Sequence, residues 1–398
     1  MIFSELLPKV EQSLLAATGA SVRLDVEWIA PDTVASHVAR IRTISGGQDL
    51  PDTLIVKAAN PAFGPNAREM LFNDWAALAY LTELPTGPLA PRFYAGAVDP
   101  DIPFVVMEDL GAGAGSPDEI LHGSNPDAAA EALLGYASVL GRLHGCSTAN
   151  LNRFRELREA LPCPPRRHRL YHHPWSNAST YPESEIRGAI DEYNAVLLSL
   201  GVQPAPGVED EIEEATRSVE ERPCGFLALC QGDQNSTRQC LRHGDRLRMI
   251  DFGEGGLRHA LIEGVPHRMT WGCVYRVPRS LFLPLEEAYR KAIAVGCPPA
   301  ADEAGFRQAM VTAGARWNVF QMISRIPEAI HRDRPRGEAT LRQQVLAWLG
   351  AFVDISDECG GFPALARKAD QVRDRLRSEW PGETHEIPYA PAFRSLLG

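Results

Sequence analysis

The sequence predicts an α+β fold: a small antiparallel sheet carrying one helix, followed by a larger and mainly helical region. Three observations predict it. Short β-branched and alternating runs crowd the stretch up to residue 107. Within that stretch a single helical repeat, Leu71, Trp75, Leu78 and Leu81, stands between strand-like runs instead of after each one, which favours antiparallel pairing over βαβ units. Past the Gly-rich break at Leu110-Gly-Ala-Gly-Ala-Gly-Ser-Pro, apolar residues recur with helical spacing almost throughout.

Taken in order, an amphipathic helix at about 3–17 opens the chain, and strand-like stretches follow at 22–29 and 37–44. Pro51-Asp52 marks a turn before Thr53-Leu54-Ile55-Val56-Lys57, a run suited to a buried strand. Arg68 to Leu84 is helical, and Phe93–Ala97 and Phe104–Met107 read as two further strands. These define a first domain at 1–107, a connecting hinge at 108–115 and a second domain at 116–398. In the second domain, helical patterns cover 126–145, 183–200, 208–220, 283–295, 302–330, 337–355 and 363–378. The exception is 226–253, where Phe226–Cys230 and Arg246–Ile250 read as the two strands of one hairpin around a polar loop. Pro162 to Tyr181 reads as an irregular loop, and no internal repeat or low-complexity tract is present.

Composition narrows the function. The chain has 398 residues with 40 Lys and Arg against 51 Asp and Glu, a formal charge of −11. That balance argues against a nucleic-acid binder whose affinity comes from a basic surface. The longest apolar runs fall far short of the ~20 residues of a membrane-spanning helix, and the opening residues lack the pattern of a signal peptide. The eight cysteines contain no C-x-x-C pair, consistent with reduced thiols and a cytoplasmic location. Cys163 with His168, His172 and His173 fits no zinc spacing and reads as a polar loop. The acidic run Glu209 to Glu214 reads as a solvated helix face, and Trp271, Trp317, Trp348 and Trp380 as packing residues.

Chemistry concentrates at three places. Lys57 ends a buried strand, where an unpaired ammonium is costly, so it needs an acid; the following helix offers Glu69 and Asp74. By itself, an edge-strand lysine reaching solvent is the plainer reading. Asp233 follows a strand and a tight turn in Cys230-Gln231-Gly232-Asp233. Asp251 ends the apolar strand Met249-Ile250 and precedes Phe252-Gly253. Two carboxylates at the ends of neighbouring strands can converge on one space. Metal-assisted phosphoryl transfer uses such a pair, one to orient the attacking hydroxyl and one to hold Mg²⁺ against phosphates.

With these residues in order, the sequence from about 20 to 350 resembles the aminoglycoside phosphotransferase superfamily, small-molecule kinases with the two-lobed protein-kinase-like fold. The hinge motif is matched by Val105-Val106-Met107-Glu108-Asp109-Leu110, and the L-x-x-L-H helix by Val139-Leu140-Gly141-Arg142-Leu143-His144. The resemblance implies ATP and Mg²⁺ as cofactors and the hydroxyl of a small molecule, aminoglycoside-like or biosynthetic, as acceptor. It implies that Lys57 holds the nucleotide phosphates with Asp74 as its partner, that backbone groups near Glu108 and Leu110 bind adenine, that Asp233 acts on the acceptor, and that Asp251 holds the metal.

The departures are specific. Gln231 replaces the family histidine before Gly-Asp, and Arg238 replaces the asparagine five residues after Asp233. A guanidinium has no lone pair for a metal; Arg238 would either supply positive charge to the phosphates or pair with Asp251 and shut the metal out. Asn235, two residues after Asp233, becomes a substitute metal ligand only if the loop is rearranged. The phosphate-covering loop at 31–37 has no glycine, where close approach to phosphates usually uses it; the superfamily also carries Ser-rich versions, and the resemblance implies Ser36 as a phosphate-binding residue. These departures keep two other functions open: a nucleotide-binding pseudokinase that regulates a protein partner, and a peptide Ser/Thr kinase of a biosynthetic pathway.

Overall fold

The structure is a computed structural model that describes residues 2–31, 35–46, 50–111, 113–162, 183–233, 236–265, 268–269, 275–380 and 386–397. Asn235, Trp271, the loop after Pro162 and the group Cys163, His168, His172 and His173 lie outside the described residues, as does the middle of the 31–37 loop. The chain divides into two compact units. The first comprises Met1–Ser116, Ala149–Arg166 and Gln231–Gly256, and the second Pro117–Thr148, Arg167–Cys230 and Leu257–Gly398.

The first unit is built on a five-stranded antiparallel sheet. Its elements run α1 (Ile2–Thr18), β1 (Val22–Ile29), β2 (Ser36–Gly46), β3 (Thr53–Ala59), α2 (Pro65–Glu83), β4 (Phe93–Ala97) and β5 (Phe104–Glu108). The strands lie in the order β1-β2-β3-β5-β4, and every neighbouring pair is antiparallel. Side chains alternate along β3. Leu54, Val56 and Ala58 point into a core shared with Phe3, Leu6, Val10 and Leu14 of α1. Ile55 and Lys57 therefore point to the opposite face, where α2 packs. Trp75 of α2 stacks on Phe93 with ring centroids 5.6 Å apart. It also lies over Gly96, where an added Cβ would stand 2.7 Å from the indole. Only glycine at 96 lets the helix sit this close to the sheet.

Two later segments complete this unit. Helix Leu151–Glu159 packs against α2. In 231–256, Cys240–His243 pairs with Arg246–Met249 through the turn at Gly244. This corrects the expected hairpin. Arg246–Met249 takes its partner from the loop itself, while Leu227–Cys230 pairs with Gly256–His259. A four-residue Cys-Leu-Arg-His run with no β-branched residue carries too little periodicity to be read as a strand. The compact division groups 231–256 with the first 116 residues, and backbone hydrogen bonds from Arg242 to Gly115 and from Met249 to Leu89 join them.

The second unit is mainly helical. Glu303–His331 is its longest helix and packs against Glu183–Ser199, Val208–Glu220 and Leu341–Cys359; Pro126–Ser147 packs against Phe282–Ile293. The helix expected from 337 begins instead at Leu341. Thr340 and Gln343 form a reciprocal capping box there, and the preceding residues pair as a short ladder, Pro335–Arg336 with Ala339–Thr340. Trp317, Trp348 and Trp380 are buried, as packing residues should be. Glu209 and Asp210 lie on the exposed side of their helix while Ile212 is buried.

Within this unit His259 stacks on Phe226, with centroids 5.2 Å apart, and its Nδ1 accepts the Leu261 N–H at 3.3 Å. Burial, reinforced by nearby His144, pushes the imidazole down to about 3 from its ordinary 6.5. Between those two values the unfolded chain binds a proton that the folded chain refuses, so stability falls as pH is lowered. Native protein is expected to lose about 1–2 kcal/mol more between pH 7 and pH 5 than His259→Asn, whose amide oxygen can still accept from Leu261. Urea unfolding of both proteins at the two pH values checks this, and parallel losses would contradict it.

Candidate functional site

Lys57 sits where β3 faces α2, and its side chain is 13% exposed. Its Nζ donates to Asp74 Oδ2 at 2.8 Å and to Asp251 Oδ1 at 2.6 Å. Burial acts to strip the charge from the lysine. The fields of the two carboxylates oppose burial and win, holding the ammonium well above the ordinary lysine range.

Asp74 is the anchor of this arrangement. It is 1% exposed, and its second oxygen, Oδ1, accepts the backbone N–H of Phe252 at 2.8 Å. Its neighbour Asn73 donates from Nδ2 to the Gly253 carbonyl at 2.8 Å and accepts from Arg158 Nε at 2.9 Å. One turn of α2 therefore grips Phe252 and Gly253, while Lys57 of β3 holds Asp251 beside them. Asp251 is held in the left-handed region with φ 61°, a conformation that costs a non-glycine residue about 1 kcal/mol and that Asp tolerates better than most. Its side chain is 42% exposed, so the carboxylate reaches solvent as well as Lys57.

Asp233 approaches the same place from the turn after Gln231. Gly232 at φ 98° makes that turn, and a Cβ on it would stand 2.1 Å from the Glu254 carbonyl oxygen. The 231–233 and 251–254 segments are thus pressed backbone to backbone. Two carboxamides lock them. Gln231 Nε2 lies against the Ile250 carbonyl at 2.9 Å, the Asp251 carbonyl at 2.7 Å and Gln239 Oε1, while its Oε1 accepts the Asp233 N–H at 3.1 Å. Gln239 Nε2 in turn lies 2.9 Å from Asp233 Oδ2 and 3.2 Å from Asp251 Oδ2.

The structure thus brings Lys57, Asp74, Asp233 and Asp251 together in one unit. Arg238 lies on the 3₁₀ turn Ser236–Gln239 and is exposed; the residue directed between the two acids is Gln239, one position later. Gln239 was not apparent from the sequence, because the family spacing points to 238 and a 3₁₀ turn shifts which side chain faces inward. Asn73 and Arg158 were missed as well, since neither belongs to a motif. Glu108 ends β5, with its N–H bonded to the Arg92 carbonyl and its carboxylate to Arg248 Nη1 at 2.6 Å. The Leu110 carbonyl accepts from His243 Nδ1 at 2.9 Å, and Asp109 between them pairs with Arg40 at 2.6 Å. Ser36 is buried at the start of β2, opposite Ala59 of β3.

A divalent cation at Asp251 is chemically consistent with these groups. Two carboxylates converge on a single amide N–H₂ group, all the neighbouring ligand atoms are hard oxygens, and Mg²⁺ takes such ligands. Asp233 and Asp251 are the residues that would hold it; Gln239 turns its amide N–H₂ toward them and its side-chain oxygen toward Gln231.

Two solved structures are similar to this chain. One is a protein from Haemophilus somnus 129PT assigned as a fructosamine-3-kinase, with 11% identity and a TM-score of 0.43 over 91% of this chain and 100% of that one. The other is the streptomycin–ATP–APH(2″)-IIa ternary complex, with 12% identity and a TM-score of 0.45 over 83% of this chain and 96% of that one. No protein-family profile matches the sequence, and no curated protein does.

Removing the ammonium strands a buried carboxylate. Lys57→Met is expected to destabilise the protein by about 3–5 kcal/mol, and Asp74→Asn in the same chain to restore at least half of that. Denaturant unfolding of the two single variants and the double variant measures the coupling. A Lys57→Met loss no larger than that of a surface substitution would show that the pair is not buried in solution.

Proposed function

We propose that the protein is an ATP-dependent phosphotransferase that moves the γ-phosphoryl group of ATP to a hydroxyl group of a small molecule. One observation carries the reading. An ammonium on an inner strand is fixed between a helix acid and a second acid, and that second acid shares an amide with a third, loop-borne carboxylate. Phosphoryl transfer asks little covalent chemistry of a protein. It needs positive charge on the phosphates, a group to receive the acceptor proton, and exact placement of both.

In this reading Lys57 holds the phosphates and Asp74 keeps it charged and oriented. Asp233 accepts the hydroxyl proton as the new O–P bond forms and ADP leaves. Asp251 would hold Mg²⁺, whose chemistry there would be to supply positive charge against the phosphates. Gln239 spaces the two acids, and Gln231 fixes the backbone under both. Arg238, exposed on the same turn, would meet phosphate oxygens, since a guanidinium has no lone pair for the metal. Adenine would bind along Glu108–Leu110 through backbone groups other than the Glu108 N–H and the Leu110 carbonyl, which already have partners. Ser36, next to the 32–34 segment, is the phosphate-side residue of β2.

A second reading has its own support. Both oxygens of Asp251 already meet donors, Lys57 on one side and Gln239 on the other, which suits a chain that binds nucleotide without metal and acts through a protein partner.

The two readings part in one experiment. ATP affinity is measured with and without Mg²⁺, and ATP consumption is followed across a panel of polar hydroxyl compounds, with water as the slow acceptor. For the phosphotransferase, Mg²⁺ tightens binding by about tenfold or more, Asp233→Asn lowers turnover by roughly 10²–10⁴-fold with ATP binding kept, and Gln239→Ala lowers it by about tenfold or more. Mg²⁺-indifferent binding with no turnover on any compound would establish the second reading instead.

A further inference from the structure

The second unit holds a pocket that the proposed chemistry does not use. Its volume is about 320 Å³, within the roughly 300–1,000 Å³ that small-molecule sites occupy. Its apolar lining comes from Phe282, Leu346, Ile355 and Ile387, on three separate chain segments. Around these stand five arginines, Arg268, Arg276, Arg279, Arg373 and Arg377, against three carboxylates, Asp354, Glu358 and Glu386.

The arginines are not equivalent. Arg268 is buried and tied to Glu286 at 2.8 Å and Glu358 at 2.7 Å, so it is part of the wall. Arg276 lies over the Tyr389 ring at 4.1 Å and meets Glu386 at 3.0 Å. Arg373 is paired with Asp370 on its own helix. Arg279 is 72% exposed and meets Asp354 and Glu358 only at 3.4 and 3.5 Å. Arg377, one helical turn beyond Arg373, is exposed and has no carboxylate partner among the described residues. The pocket therefore offers an apolar floor with one uncommitted guanidinium and one loosely held guanidinium at its edge. A guanidinium presents a planar fork of donors that matches carboxylate and phosphate oxygens and cannot lose its charge.

We propose that this pocket binds a small organic anion, an apolar body carrying a carboxylate or phosphate group that Arg377 and Arg279 receive. The acids on the lining do not select a cation, because each already faces an arginine.

Titration calorimetry on the full chain tests this with phenyl phosphate, benzoate, inorganic phosphate and neutral benzyl alcohol. Saturable binding of phenyl phosphate or benzoate at one per chain is expected, tighter than inorganic phosphate, with benzyl alcohol weaker still. Which of the two aromatic anions binds more tightly identifies the anionic group. Arg377→Ala combined with Arg279→Ala is expected to weaken binding by about tenfold or more. Both side chains are exposed, so the unfolding midpoint should not move. Three results would each overturn the proposal: no saturable binding of either aromatic anion, equal binding by the double variant, or benzyl alcohol binding as tightly as the anions.

Discussion

A buried ammonium between two carboxylates governs the first unit. Lys57 alone on the inner face of β3 would be prohibitively costly, and so would Asp74 alone on α2. Together they tolerate burial, and Asp251 adds a second carboxylate field that helps keep the lysine charged. This one interaction fixes which face α2 presents to the sheet and where the 251–253 turn must dock. Asn73 then completes the docking with a neutral hydrogen bond to the Gly253 carbonyl, and the Phe252 N–H with a charge-assisted one to the Asp74 carboxylate.

Precision in the candidate site comes from rigid elements. Lys57 is set by a strand in the middle of the sheet and Asp74 by a long helix wedged close to that sheet over Gly96. Asp233 and Asp251 lie on loops, yet each is tied by the backbone and by the amides of Gln231 and Gln239. Asp251 also carries a left-handed backbone, a local cost retained where a side chain must be aimed against its own preference.

Much of this was legible in the sequence, for identifiable reasons. The strands of the sheet have β-branched or alternating residues, and the apolar spacing of α2 is long enough to be unambiguous. Lys57, Asp233 and Asp251 stand out because a charged residue at the end of an apolar run is chemically conspicuous. Gln239 and Asn73 were not legible. An amide among polar neighbours carries no periodicity and no charge, and its role depends on which way a short turn faces. The pairing of Arg246–Met249 was hidden for a related reason: the residues of its partner strand read as loop. Pairing in a sheet is set by long-range docking, and composition over four residues says little about it.

The first unit is assembled from three stretches of chain, and the third arrives late. Lys57 and Asp251 are 194 positions apart. At a synthesis rate of about 5–20 residues per second, roughly ten to forty seconds pass between the emergence of one and the other from a ribosome. Through that interval the nascent sheet and helix must carry a lysine–aspartate pair whose third member does not yet exist. A polypeptide cut after residue 116 would be held permanently in that state. The sheet is therefore poorly suited to independent expression or to transfer as a cassette into another protein, although by length alone it looks self-sufficient.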